Sequence, residues 1–195
     1  FVDEIVQHFK SAWKVLDLSH DKFIRTTDPS HVQAVQELFS RLKDARSPKT
    51  GECVLFEKDY EGLYCEGCEG FKQEKDLDEK GRCPVHLTAP KKITETNFFF
   101  RLSEYDEALL KHLEQHPEFI QPDYRRNEVM NVIKEGLQDI SVSRPNIAWG
   151  IPLPDDIEGS QGHTAYVWSD ALMNYLSALG WPQRTYCKWW LAKEG

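Results

Sequence analysis

The sequence predicts an α/β fold that carries a small metal-binding α+β subdomain, and three features support that class. Apolar residues recur at helical spacing in several segments, whereas shorter runs rich in aromatic and β-branched residues are typical of strands. A strand pattern at 164–168 runs directly into a helix pattern at 170–179. Open α/β sheets bind ligands at such strand-to-helix junctions. Between residues 64 and 86, three cysteines and one histidine have the spacing of metal ligands.

Length and composition place the chain among globular proteins. With 195 residues, of which 40% are hydrophobic and six are tryptophan, the chain can bury a core of one domain or two small ones. The net charge of −8 argues against a broad basic surface for nucleic acid. No run of eighteen apolar residues predicts a membrane span, and no signal peptide is recognised. Cysteines in metal-ligand spacing favour a reducing compartment, by default the cytoplasm.

The first part of the chain alternates between helix and strand patterns. Apolar residues at helical spacing predict a helix over residues 1–16, followed by a short strand over residues 22–26. A second helix is expected to begin at Asp28 and Pro29, because aspartate can cap a helix and proline suits its first position. Residues 53–57 then read as a strand that leads towards the cysteines.

The middle of the chain predicts one further strand and two helices. The aromatic run at 97–102 is typical of a buried strand. Ser103 is expected to cap the next helix, which Pro117 ends. Pro122 opens another helix, and Gly136 terminates it.

The metal-ligand pattern consists of Cys65 and Cys68, then fourteen residues, then Cys83 and His86. Each pair can place two ligand atoms on one tight turn, and two such turns make a closed tetrahedral site. Three thiolates and one imidazole suit Zn²⁺. Because four protein ligands leave no open coordination position, we expect a structural metal; the alternative is that the four residues are spaced by chance.

A series of further blocks carries a resemblance to a known family. They are FIRTTDPSH (23–31), YEGLYCEGC (60–68), CPVH (83–86), NFFFRLSEY (97–105), RRNEV (125–129), SVSRPNIAWGIPLP (141–154) and YVWSDALMNYLSALG (166–180). In this order and with this spacing, the blocks resemble bacterial-type methionyl-tRNA synthetases, which are class I aminoacyl-tRNA synthetases. The resemblance covers nearly the whole chain.

The resemblance implies a partial Rossmann-type catalytic domain split by a connective-peptide insertion with a zinc knuckle. Residues 1–27 would end the first Rossmann half, 28–163 would form the insertion with its knuckle at about 60–90, and 164–195 would begin the second half. The implied activity is methionine–tRNA ligation: methionine is activated with ATP and Mg²⁺ and then transferred to tRNA(Met). No membrane partner is implied, and the oligomeric state stays open.

The resemblance also implies roles for individual residues. Trp168, Ala171 and Tyr175 fall in the block that lines the methionine pocket of the family, and Arg144 falls where an arginine borders the active site. Asp170 is expected to cap its helix rather than take part in chemistry. No residue is assigned to catalysis, because the ATP-binding HIGH-type and KMSKS-type motifs do not occur in the chain. The chain is therefore expected to be a fragment that is inactive alone.

Two alternatives remain open at the level of sequence. The chain could be a stand-alone zinc-ribbon module that binds RNA or protein, although acidic residues outnumber lysines between residues 52 and 80. It could also belong to another class I synthetase, for isoleucine, valine, leucine or cysteine. A tRNA titration distinguishes the first alternative, and the pocket residues of a longer reading frame distinguish the second.

Overall fold

The computed structural model describes residues 1–68 and 70–190. The helices are α1 (Val2–Val15), α2 (Pro29–Asp44), α3 (Asp106–Gln115), α4 (Asp123–Lys134), α5 (Val167–Ala171) and α6 (Asn174–Ser177). The strands are β1 (Leu55–Cys65), β2 (Gly70–Lys72), β3 (Lys91–Phe100), β4 (Ile140–Ser141), β5 (Ser143–Pro145) and β6 (His163–Ala165). This mixture of helices and sheet confirms the predicted class.

A long antiparallel ribbon of β1 and β3 forms the centre of a four-stranded sheet with the order β2-β1-β3-β4. Pairing runs from Leu55 opposite Phe100 to Tyr64 opposite Lys91. Because a strand rises about 3.3 Å per residue, this ribbon extends over roughly 30 Å. Its Leu55 end is buried in the core, and its other end reaches Cys65. The ribbon therefore holds the cysteine-rich segment away from the core.

The hydrophobic core forms where α2 packs against the inner end of the ribbon and the segments around α5 and α6. Its buried members are Ala34, Val35, Phe39, Leu55, Phe98, Val142, Ile151, Leu153, Ile157, Ala165, Met173 and Trp181. The first three of these residues belong to α2. The packing fixes the region of α5 and α6 against α2, although more than a hundred residues separate them in the chain.

The strand-to-helix junction near residue 165 lies earlier than predicted. The strand β6 ends at Ala165 and α5 begins at Val167, so the expected strand at 164–168 is wrong in its second half. The N–H of Tyr166 donates to the carbonyl of Val142 (2.8 Å), and the Tyr166 carbonyl then accepts the helical hydrogen bond from Asp170 (3.0 Å). Asp170 is thus inside the helix, and the prediction that it caps the helix is wrong.

Three other local predictions are corrected by contacts outside the predicted element. Within the described chain, residues 22–26 are not a strand, and Phe23 packs its ring 5.2 Å from that of Trp13 in α1. Ser103 does not cap a helix, because its hydroxyl donates to Asp139 Oδ1 (2.7 Å) and α3 begins later. Asp28 precedes α2 as expected, but its carboxylate accepts the backbone N–H of Arg25 (2.9 Å) instead of one from the helix.

The N-terminal helix α1 has no buried residue among those described. It is connected to the following segment by an ion pair between Asp3 and Arg25 (2.7 Å) and by the ring of Trp13. Its apolar residues Phe1 and Phe9 are exposed. None of the helices seen in residues 1–68 and 70–190 has the length and apolar character that a membrane span requires.

Candidate functional site

The four predicted metal ligands converge at the far end of the ribbon. The ligand atoms of Cys65, Cys68, Cys83 and His86 all lie within 4.8 Å of one another. The Cys68 and Cys83 sulfurs are 3.5 Å apart, and His86 Nδ1 is 3.3 Å from Cys68 and 3.8 Å from each of the other two sulfurs. A donor set at these spacings could hold one metal ion. Among the described residues, no other group of three or more such ligands meets the same criterion.

Two local turns create this convergence. Cys65 is the last residue of β1, and the chain turns back so that Cys65 pairs with Gly70 at the start of β2. In the second turn, the N–H of Leu87 donates to the Cys83 carbonyl (2.7 Å). The N–H of Cys83 in turn donates to the Thr88 carbonyl (2.9 Å). Each turn therefore presents its two ligands on the same side.

Gly67 is required by the close approach of the two turns. A Cβ at this position would lie 2.5 Å from His86 Cδ2 and 2.6 Å from His86 Cγ, which is far inside van der Waals contact. The face of the imidazole therefore packs directly on the backbone of the first turn. This packing positions the His86 ring relative to the cysteines.

The thiols of the group differ in acidity. The backbone N–H of His86 and then its imidazole lower the pKa of the Cys83 thiol to about 6. Burial, followed by hydrogen bonds with neighbouring thiols, raises the pKa of Cys68. Metals bind the thiolate rather than the thiol. Cys83 is therefore already in its ligand form at neutral pH, and Cys68 must lose a proton when a metal binds.

The three residues expected in the methionine pocket lie on two consecutive short helices. Trp168 and Ala171 belong to α5, and Tyr175 belongs to α6. Their spacing of three and four residues places them on one face. The side chains of Trp168 and Tyr175 are 61% and 62% exposed, so this face carries two large aromatic rings in contact with solvent. Such a face is available to bind an apolar group, with the small Ala171 between the rings.

Arg144 lies beside the start of this helical segment. Its guanidinium packs 4.2 Å from the ring of Tyr166, the residue just before α5. Its Nη1 donates to Ser141 Oγ (2.8 Å) and to the Ser143 carbonyl (2.6 Å). Burial lowers the pKa of Arg144, which nevertheless stays charged at neutral pH. The structure thus places Arg144 next to the segment of the expected pocket, whereas the metal ligands lie at the far end of the ribbon.

One buried polar group was not indicated by any pattern in the sequence. His31 in the first turn of α2 is fully buried, and its Nδ1 lies 2.8 Å from Ser177 Oγ. Its Nε2 lies 2.7 Å from Asp170 Oδ1. The partners are 146 and 139 residues away in the chain, so no local pattern could have indicated them.

Comparison with known proteins adds the family. The sequence matches the family model described as tRNA synthetases class I (M) over residues 1–91 and 49–195. It is 42% identical over 197 residues to the methionine–tRNA ligase of Thermotoga maritima, covering 98% of this chain and 30% of that relative. It is 45% identical over 195 residues to the methionine–tRNA ligase of Clostridium perfringens, covering 98% of this chain and 28% of the relative.

Solved structures agree with the sequence relatives. Mycobacterium tuberculosis methionyl-tRNA synthetase in complex with methionyl-adenylate superposes with a TM-score of 0.78 at 36% identity. The superposition covers 94% of this chain and 35% of that chain. The free form of the same synthetase gives a TM-score of 0.79 at 34% identity, covering 98% and 38%. The chain thus spans about 30% of the length of the first curated relative that it matches.

Proposed function

Because the chain belongs to the class I (M) tRNA synthetases, we propose that it is part of a methionine–tRNA ligase and supplies one wall of the methionine pocket. In the proposed reaction, the methionine carboxylate attacks the α-phosphorus of ATP, which forms methionyl-adenylate and releases pyrophosphate. The methionyl group then passes to the terminal ribose of tRNA(Met), and AMP leaves. Mg²⁺ accompanies ATP in this reaction. The proposed location of the protein is the cytoplasm, where protein synthesis takes place.

The observation that carries this proposal is the exposed aromatic face of α5 and α6. Trp168 and Tyr175 leave two large aromatic rings mostly exposed on consecutive short helices, and exposed apolar patches often mark binding sites. Trp168 and Tyr175 offer π-faces and edges, which favour contact with a polarisable thioether, and Ala171 leaves room between them. The methionine side chain is an unbranched thioether that can lie across such a face. We assign it to this face.

Arg144 would border the bound substrate. Its guanidinium is held against Tyr166 at the start of α5 and by oxygen atoms of Ser141 and Ser143, so its position is fixed before any ligand arrives. A fixed cation beside the pocket can attract the anionic groups of methionine or of the adenylate. No residue of this chain is proposed to act directly on the phosphorus.

The metal proposed for the cysteine-rich end is Zn²⁺ in a structural role. In a tetrahedral site with Zn–S bonds near 2.3 Å and Zn–N bonds near 2.0 Å, neighbouring ligand atoms lie about 3.5 to 3.8 Å apart. Four of the six ligand-atom distances, from 3.3 to 3.8 Å, lie near those values, and all six are within 4.8 Å. Bound zinc would cross-link the turn after β1 to the turn at Cys83, where the apolar residues Val85 and Leu87 are exposed. The ligand set is closed, so the site needs no substrate position.

The proposed division of the chain keeps residues 1–27 and 164–195 as parts of the Rossmann halves and 28–163 as the insertion. Support comes from the ribbon and its metal group, which lie within the insertion, and from the proposed pocket residues, which lie after residue 163. The insertion begins at α2, whose contacts with α6 would connect it to the pocket.

The proposal is tested by amino-acid-dependent ATP–pyrophosphate exchange with the full reading frame that contains this chain. Methionine should support exchange, whereas isoleucine, valine, leucine and cysteine should not. Exchange with one of those four but not with methionine would contradict the proposal and indicate another class I synthetase. The 195-residue chain alone should show no exchange, and salt-dependent tRNA binding by it alone would instead favour a stand-alone RNA module.

A further inference from the structure

His31 connects α2 to both short helices of the proposed pocket at once. Its Nε2 contacts Asp170 on α5 (2.7 Å), and its Nδ1 contacts Ser177 on α6 (2.8 Å). In the tautomer that carries its proton on Nε2, His31 donates to the Asp170 side chain, and Nδ1 accepts the hydroxyl proton of Ser177. Both hydrogen-bonding positions of the imidazole are then satisfied, as a fully buried histidine requires.

This Ser177–His31–Asp170 arrangement is not suited to nucleophilic catalysis. Ser177 is only 1% exposed and His31 is 0% exposed, so no substrate carbonyl can reach the hydroxyl of Ser177. A nucleophile must stand within reach of the reacting atom. The three residues therefore connect α2 to α5 and α6 and do not act as a nucleophilic group.

The backbone around His31 is itself well fixed. The N–H of His31 donates to the Asp28 carbonyl (2.8 Å), and the Asp28 carboxylate accepts the N–H of Arg25 (2.9 Å). Pro29 at the first helical position restricts the same turn. The imidazole thus projects from a rigid helix start towards the pocket helices.

By contrast, α5 and α6 have little stability of their own. They contain five and four residues, too few for a helix to persist in water without tertiary contacts. Their aromatic residues Trp168 and Tyr175 are mostly exposed and do little to anchor them. Met173 is in the core and Leu176 packs against it, and His31 adds one hydrogen bond to each short helix.

We propose that His31 is a positioning residue for methionine binding: it orients α5 through Asp170 and α6 through Ser177, so that Trp168, Ala171 and Tyr175 present one wall. The inference rests on the proposed function. Asp170 lies two residues after Trp168 and next to Ala171, whereas Ser177 lies two residues after Tyr175. A shift at either hydrogen bond therefore moves a pocket residue directly. ATP is not bound by these helices in the proposal, so its binding is independent of His31.

The experiment measures KM for methionine, KM for ATP and kcat in pyrophosphate exchange, using the full reading frame. His31→Ala should raise KM for methionine about tenfold or more, because misplacing binding groups by about 1 Å has effects of that size. The KM for ATP should change less than twofold. Ser177→Ala, which removes one hydrogen bond without creating a large cavity, should raise KM for methionine about threefold.

Leu113→Ala is the matched control for a loss of stability alone. Leu113 is buried on α3, whose main neighbour is α4. A purely structural defect lowers the amount of folded enzyme, and therefore the apparent kcat, but leaves KM for methionine unchanged. The control should show that behaviour together with a lower melting temperature.

Unchanged KM for methionine in folded His31→Ala would overturn the positioning role, as would equal increases in the KM of methionine and ATP. If His31→Ala does not fold, Ser177→Ala decides, and an unchanged KM for methionine in that variant overturns the proposal. Wild-type enzyme without methionine-dependent exchange would overturn the proposed function and this inference with it. The failures are distinguishable, because the inference alone fails only when the wild type is active.

Discussion

Replacing Gly67 by alanine should disrupt the metal centre, although none of the four ligand residues is itself substituted. The added Cβ would lie 2.5, 2.6 and 2.8 Å from Cδ2, Cγ and Nε2 of His86. Ordinary contact requires about 3.4 Å or more, so the imidazole must retreat by roughly 1 Å. Metal–nitrogen distances tolerate only about 0.2 Å. His86 therefore cannot both avoid the methyl group and remain a ligand.

The expected result is a site with three thiolates and one open position. Affinity for zinc should fall at least about tenfold, since perturbing even the groups that only orient a ligand costs 10- to 100-fold. Titration with Co²⁺ reports the ligand set through its absorption bands, and competition with a chromophoric chelator gives the zinc affinity. The Co²⁺ absorption bands of the variant should differ from those of the wild-type protein, which we expect to be typical of a closed tetrahedral site.

Gly81→Ala is a suitable control for this test. Gly81 has a φ of +71°, so alanine is strained there, but a Cβ would meet no atom within 4 Å. This control separates backbone strain from displacement of the ligand, and its cobalt spectrum should match the wild type. A Gly67→Ala protein with wild-type spectrum and affinity would refute the packing of His86 on the first turn.

Three further changes have expected outcomes. Trp168→Ala should raise KM for methionine about two- to tenfold in pyrophosphate exchange, the range expected for a lost sulfur–aromatic contact, and an unchanged KM would count against the pocket wall. Affinity for zinc should fall more steeply with decreasing pH below about 6, because Cys83, with its depressed pKa, is a thiolate above that pH, whereas protons compete with zinc for its sulfur below that pH. A chelator competition series in which the slope of zinc affinity against pH does not increase below about 6 would contradict this. Phe39→Ala should lower the free energy of unfolding by about 3 to 5 kcal/mol in urea denaturation, because Phe39 is 1% exposed within the core, and a loss below about 1 kcal/mol would show that the core closes around the gap.

Features whose determinants are local were predictable from the sequence. The metal ligands form two pairs, and within each pair the two ligands are separated by two residues. Each turn could therefore be predicted from its own short segment. The helix α4 follows Pro122 and ends just before Gly136, which has a φ of +95°, as the sequence indicated. Such signals depend on backbone preferences that a short segment carries by itself.

Features that depend on distant partners were not predictable. Ser103 has the composition of a helix cap, but Asp139 takes its hydroxyl, and the helix begins three residues later. Asp170 also looked like a cap, yet its partner His31 lies in a helix 139 residues earlier. The residues at 164–168 suggested a strand, but the extended segment ends early, where the N–H of Tyr166 donates to the Val142 carbonyl. In each case a tertiary hydrogen bond outweighed the local preference.

The most direct test is to find where methionine contacts the protein. A methionine analogue that carries a photoactivatable diazirine in its side chain can be bound to the protein encoded by the full reading frame and then irradiated. Mass spectrometry locates the adducts. Adducts are expected on the peptide of residues 166–180. Excess methionine should suppress them, and Trp168→Ala should reduce them about two- to tenfold at ligand concentrations below KM. Adducts confined to the cysteine-rich segment at 60–90, with none at 166–180, would contradict the assignment of the methionine pocket to α5 and α6.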